Sequence, residues 1–169
     1  PALARRPRPV VPARALTAAR VTPAVLLMGP TASGKSALAL ALAQQLGGEI
    51  VSVDSAQVYR GMDIGTAKVS PAERARVPHH LIDSVEPSDH LTLARFLDFA
   101  NEALDDVWSR KKLPVLAGGS GQYVWALIEG WQPPRVPPDL DLRAGLEAVA
   151  ETEGPEALHD RLIALDPEA

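Results

Sequence analysis

The run Gly29-Pro30-Thr31-Ala32-Ser33-Gly34-Lys35-Ser36 constrains this chain more than any other stretch. It satisfies the pattern G-x-x-x-x-G-K-[S/T] at every fixed position. Glycines at 29 and 34 let the backbone turn with no Cβ in the way, so successive N–H groups can converge on phosphate oxygens. Lys35 adds a full positive charge, and a helix starting here adds the positive end of its dipole. The Ser36 hydroxyl is placed to hold Mg²⁺ against a diphosphate. The context agrees: Ala24–Met28 is a short apolar run that reads as a buried strand, and Ala37–Leu46 reads as a helix that Gly47-Gly48 stops. This loop predicts binding of a diphosphate or triphosphate and leaves the reaction open.

The rest of the chain repeats the alternation. Ile50–Val53 reads as a second strand ending at Asp54, and Leu81-Ile82 as a further short one. The segment Tyr59–Lys68, punctuated by Gly61 and Gly65, reads as a functional loop. From Thr92 onward, Leu93, Phe96, Leu97, Ala100, Ala103, Leu104, Val107 and Trp108 recur at helical spacing. Leu113–Ala117 is another buried strand, followed by Gly118-Gly119-Ser120-Gly121 and a short helix over Tyr123–Glu129. Prolines 133, 134, 137 and 138 mark a break. Leu140–Glu153 and Glu156–Leu165 then read as two helices split by Gly154-Pro155. Strands alternating with helices predict an α/β fold with a mostly parallel sheet flanked by helices. Ligands in such sheets bind beyond the carboxyl ends of the strands, which gathers the loops at 29–36, 54–59 and 118–121 on one edge.

Composition narrows the function classes. With 169 residues and 46% hydrophobic content, the chain can build one modest core. The expected organisation is a disordered Pro/Arg-rich tail over 1–23, a core domain over 24–130, and a linker with two helices over 131–169. There is no cysteine, which excludes a disulfide scaffold and a Cys-ligated zinc site and fits a cytoplasmic protein. No apolar run is long enough to cross a bilayer, so no membrane partner is expected. The net charge is −4, yet six of the 17 basic residues precede the first acidic residue, Glu49. An RNA partner would therefore have to be met by a local patch.

Asp54, at the end of the second strand, admits three roles: holding Mg²⁺ through water, taking a proton as general base, or capping the next turn. The four histidines form no recognisable metal spacing. Lys68 and Arg60 are candidates for phosphate contacts, and Arg110-Lys111-Lys112 reads as a solvated charge cluster. Trp108 reads as core, and Trp125 and Trp131 as packing residues.

The residues following the second strand are more specific. The stretch Asp54-Ser55-Ala56-Gln57-Val58-Tyr59-Arg60-Gly61-Met62-Asp63-Ile64-Gly65-Thr66-Ala67-Lys68 closely resembles the signature of bacterial tRNA dimethylallyltransferases. Pro78-His79-His80-Leu81-Ile82-Asp83 and Gly118-Gly119-Ser120-Gly121-Gln122-Tyr123 match later motifs of that family, in order, and the 29–36 loop is its form of the phosphate loop. The resemblance covers Ala24 to about Gly130. It implies a P-loop NTPase-like core carrying the start of an inserted helical tRNA-binding domain. It also implies transfer of a dimethylallyl group from dimethylallyl diphosphate to the exocyclic amine of the adenosine 3′ of the anticodon, with Mg²⁺ as cofactor, in a cytoplasmic monomer. Carried over by position, Gly29, Pro30, Thr31, Ala32, Ser33, Gly34, Lys35 and Ser36 bind the diphosphate, and Ser36 binds the metal. Asp54, Ser55, Ala56 and Gln57 meet the tRNA, and Asp54, Thr31 and Ser120 serve catalysis. Ser120 stands where the family usually has Thr, and Gln122 where it usually has an apolar residue. The family is roughly twice as long as this chain. Two other readings share the phosphate loop: a small kinase of a metabolite or nucleotide, which leaves the 54–68 run unexplained, and an inactive anion-binding fragment.

Overall fold

A computed structural model describes residues 22–167; the Pro/Arg-rich stretch over 1–21 lies outside them. The elements run β1 (Val25–Met28), α1 (Lys35–Leu46), β2 (Glu49–Ser52), α2 (Pro71–Arg74), β3 (His79–His80), α3 (Leu93–Ser109), β4 (Pro114–Gly118), α4 (Gly121–Glu129), α5 (Leu140–Glu153) and α6 (Pro155–Leu165). The four strands form one sheet in the order β1-β4-β2-β3, and every pairing is parallel. Strand β4, late in sequence, slots between β1 and β2, in register Leu26 with Leu116 and Ile50 with Val115.

Successive residues of a strand face opposite sides of the sheet, so the central strands β2 and β4 feed two cores. Strand β1, read from sequence as buried, is instead an edge strand that leaves Leu26 and Met28 exposed. Val51, Val53 and Leu116 join Phe96, Leu97, Ala100 and Leu104 of α3 on one face. Ile50 and Val115 join Ala39, Leu40 and Ala43 of α1 on the other. All four residues of β2 are buried, Glu49 and Ser52 among them, and β4 is a largely buried run of small and apolar residues. The predicted stripe of α3 is the face that packs, with Phe96, Leu97, Ala100, Leu104 and Val107 buried. Thr92 caps that helix by accepting from the Arg95 N–H at 3.2 Å. Trp108 is half-buried and donates its indole N–H to the Pro23 carbonyl at 3.0 Å, pinning the approach to β1.

The structure corrects several sequence readings. The short strand lies at His79-His80, not Leu81-Ile82. Leu81 has φ +62° and Asp83 φ +55°, left-handed conformations that cannot continue a strand. Helix α1 begins at Lys35, so Lys35 and Ser36 belong to its first turn. Helix α2 was not anticipated, although Ser70-Pro71-Ala72-Glu73 forms a full capping box: Glu73 N–H to Ser70 Oγ, and Ser70 N–H to the Glu73 carboxylate. Arg110 is not a free member of a solvated cluster. Its guanidinium forks onto the carboxylate of Glu49, which is 4% exposed, and also reaches Asp106 at 2.5 Å. His80 Nε2 completes the set, 2.7 Å from Glu49. This cluster sits at the amino-terminal end of β2, opposite the loops at the carboxyl ends.

The chain divides into two compact units, one through Gln132 and one from Pro133. In the second, α5 is capped by Asp139, whose carboxylate accepts from the Leu142 N–H at 2.8 Å. Gly154 sits at the cap position of α6 and Pro155 opens the helix. Helices α5 and α6 pack on each other, with no buried residue in either. Among the described residues, no helix is long and apolar enough to cross a membrane.

Candidate functional site

Three loops meet at the carboxyl ends of the strands, as the alternation predicts. After β1, the 29–34 loop turns through two left-handed residues, Ala32 (φ +64°) and Gly34 (φ +85°). Gly34 occupies the cap position of α1 with no side chain to satisfy the first helical N–H groups. With no side-chain cap, those N–H groups present the arrangement that suits an anion at a helix start. Lys35 folds back across the loop, its Nζ donating to the Pro30 carbonyl at 2.5 Å and reaching Ser33 Oγ at 3.4 Å. The charge is thereby stationed over the loop.

Asp54 follows β2. Its Oδ1 accepts from the backbone N–H of Ala56 at 2.8 Å and of Gln57 at 3.3 Å. One oxygen thus caps the turn, while among the described residues Oδ2 meets no protein donor. Ser120, after β4, accepts from the Ser55 N–H at 3.0 Å, and its own N–H donates to the Val53 carbonyl at 3.3 Å. Ser120, expected to serve catalysis, thus meets the backbone of the residue after Asp54. The loops after β2 and β4 are stitched together this closely because Gly118 has no side chain. A Cβ there would run into the Val53 carbonyl.

These loops wall a cavity of about 250 Å³. Thr31, Ala32, Lys35 and Ser36 line it from the phosphate loop, and Asp54, Ala56 and Gln57 from the turn after β2. Of the other expected diphosphate residues, Gly29, Pro30, Ser33 and Gly34 form the loop without lining the cavity, and neither Ser55 nor Ser120 lines it. A further wall comes from Gly65, Thr66 and Ala67, with Val69, His79 and Ile82 beside it. The sequence reading flagged the 59–68 loop as functional but did not assign its residues to the wall. Burial holds His79 below the ordinary histidine range. Its Nδ1 lies 2.7 Å from the Val77 carbonyl, which can only accept, so that nitrogen carries the proton. The polar side chains nearest the loop, Thr31, Ser36 and Asp54, offer oxygen donors. That set fits a hard divalent cation that keeps several waters and takes phosphate oxygens. No cluster of three His, Cys, Asp or Glu side chains occurs among the described residues.

Lys68, a candidate phosphate contact from sequence, is spent elsewhere. Its side chain is 2% exposed, and its Nζ donates to the Tyr59 carbonyl at 2.8 Å, Asp63 Oδ1 at 2.8 Å and Asp83 Oδ1 at 2.7 Å. Arg74 takes the second Asp83 oxygen at 2.6 Å. Lys68, with help from Arg74, holds the Asp83 carboxyl below its usual range. Arg60 is paired with Glu86 and with the Asp83 carbonyl. Gln57 donates its side-chain amide to the carbonyls of Thr66 at 3.4 Å and Ala67 at 3.1 Å. The 59–68 loop is thus tied at both ends, to Asp83 and to the Asp54 turn.

The sequence model of one family, described as IPP transferase, matches residues 57–169, and a second, described as isopentenyl transferase, matches residues 22–87. A protein of Roseiflexus sp. (strain RS-1) named tRNA dimethylallyltransferase is 57% identical over 147 residues, covering 87% of this chain and 48% of that protein. The crystal structure of the tRNA isopentenylpyrophosphate transferase from Bacillus halodurans aligns with a TM-score of 0.65 at 45% identity, over 86% of this chain and 48% of the other. A eukaryotic dimethylallyltransferase described as acting on tRNA aligns with a TM-score of 0.72 at 29% identity, over 87% of this chain and 36% of the other. This chain spans about half the length of the first two of these relatives.

Proposed function

From the premise that this chain belongs to the IPP transferase family, we propose that the whole protein moves a dimethylallyl group from its diphosphate to the exocyclic amine of an adenosine in tRNA, just 3′ of the anticodon. The observation that carries this is the juxtaposition of a phosphate loop with an acidic turn across one cavity. The loop grips the diphosphate, and Asp54, lining the same cavity, meets the nucleophile.

The chemistry follows from what each group lacks. The exocyclic amine of adenine is a poor nucleophile because its lone pair feeds the ring. It improves as its proton leaves, and Asp54 Oδ2 is the acceptor at hand. As the new N–C bond forms, the C–O bond of the donor breaks and its electron pair stays with the diphosphate. Lys35, the N–H groups at the start of α1 and the hydroxyls of Thr31 and Ser33 stabilise that growing charge. Ser36 would hold Mg²⁺, which when bound would neutralise part of the diphosphate charge. Ser120 acts through the backbone of Ser55, fixing the turn that carries Asp54. Gln57 and Ala56 border the receiving space, and Ser55 lies on the exposed outer side of the turn. The tRNA arm falls to the α5–α6 unit and to the length that relatives have beyond this chain. The protein works in the cytoplasm as a monomer.

The test uses the full-length protein, labelled dimethylallyl diphosphate and an unmodified tRNA. Label on the RNA is the expected result; ATP consumed with no prenylated RNA would mean a kinase. Asp54→Asn sharpens the assignment. An amide oxygen can still accept from Ala56 and Gln57, so the turn survives while the base is lost. Transfer should fall by roughly 10²-fold or more, with diphosphate affinity within a few-fold. Undiminished turnover would remove Asp54 from the chemistry.

A further inference from the structure

The tip of the 59–68 loop carries an apolar side chain that the reaction leaves unused. Ile64 is 98% exposed, more than any other large apolar residue among those described, and Met62 near it is 42% exposed. Exposure on a loose loop would say little, but this loop is braced. Lys68 fastens it to Tyr59, Asp63 and Asp83. The Thr66 hydroxyl donates to the Met62 carbonyl at 2.7 Å, and Gln57 holds Thr66 and Ala67 from the other side. The next residue, Gly65, lines the cavity. A β-branched aliphatic side chain is thus held out from the rim of the space that receives the substrate.

We propose that Ile64 is a wedge that enters the base stack of the RNA and fills the gap left when the target adenosine swings into the cavity. The inference rests on the transferase reading. An exocyclic amine inside a stacked loop is out of reach, so an enzyme acting on it must draw the base out. The gap that remains is walled by the apolar faces of two bases, and proteins that separate bases elsewhere insert Ile, Leu, Met or Phe there. An RNA is favoured over a protein partner because of position: whatever delivers a base past Gly65 passes Ile64.

The full-length protein is assayed with labelled dimethylallyl diphosphate on two RNAs. One is a hairpin presenting the target loop, and the other a short unstructured oligonucleotide of the same loop sequence. Because Ile64 is fully exposed, its substitution does not threaten the fold. Ile64→Ala should lower kcat/KM on the hairpin by roughly tenfold or more, reflecting the unstacking cost that the wedge offsets. On the oligonucleotide, where little stacking must be undone, the loss should nearly vanish. Ile64→Leu should restore hairpin activity, and 2-aminopurine next to the target should brighten less on binding Ile64→Ala than on binding wild type. No loss on the hairpin would overturn the proposal. So would an equal loss on both RNAs, which would mean that Ile64 packs against protein. If wild type labels neither RNA, the transferase reading itself falls, and the wedge with it.

Discussion

Lys68→Met separates two roles that the sequence left open. Methionine keeps the length and the apolar stem and removes the ammonium. The wild-type Nζ makes three bonds of 2.7–2.8 Å from a side chain that is 2% exposed. Removing one partner of a fully buried ion pair costs about 3–5 kcal/mol. Here the value is smaller. Asp63 is 67% exposed and returns to water, and Asp83, 27% exposed, keeps Arg74. What remains is the lost donor at the Tyr59 carbonyl and a less compensated Asp83, together about 2 kcal/mol. For a chain of this size that is a drop in Tm of roughly 4–8 °C. The assay pairs thermal denaturation followed by circular dichroism with steady-state kinetics on the full-length protein. The expected result is a lower Tm and a lower kcat on RNA, with KM for the prenyl diphosphate changed by no more than about twofold. An unchanged Tm with a sharply raised diphosphate KM would refute the reasoning, because it would mean that Lys68 binds substrate phosphate after all.

Gly118→Ala should damage the site from behind. The new methyl overlaps the Val53 carbonyl, and backbone against backbone has no flexible group to give way. A cost of about 1–3 kcal/mol should appear in thermal melts together with weakened transfer, because Ser120 loses its register with Ser55. Acid titration tests the Glu49 cluster. The Arg110 guanidinium, with His80, holds the Glu49 carboxyl below its ordinary range. A depressed carboxyl stabilises the fold fully above its unfolded-state value, about pH 4.3, and loses that contribution as pH falls through the folded-state value. Urea midpoints measured from pH 7 to pH 3 should therefore fall less steeply for Glu49→Gln than for wild type, and parallel curves would contradict the assignment.

Much of this was legible in the chain, for identifiable reasons. The central strands are buried on both faces, so β4 announced itself as an apolar run and β2 through Ile50 and Val51, and α3 declared its packed face by spacing. The turn between β1 and α1 was legible because Gly29 and Gly34 flank it between an apolar run and a stretch of helix formers. The readings that failed concern side chains whose partners are distant in sequence. Nothing in Arg110-Lys111-Lys112 reveals that Arg110 meets Glu49, 61 residues away. Nor does Lys68, in a motif rich in polar residues, advertise that it turns inward to Asp83. The two-residue strand was misplaced because left-handed backbone at Leu81 and Asp83 leaves no mark in residue type. Helix α2 did leave one, the Ser-Pro-x-Glu box, and reading caps as well as periodicity would have found it.

The parallel sheet has an anchoring end and a working end. Glu49, His80 and Arg110 lock the place where β2 begins, a strand's length from the loops where bonds would be made and broken. Changes at the first end should tune how long the protein survives heat or acid without altering what it acts upon. An engineer seeking a tougher variant can therefore rebuild that end freely, and a lineage adapting to a hotter or more acidic niche has somewhere to change without risking its chemistry.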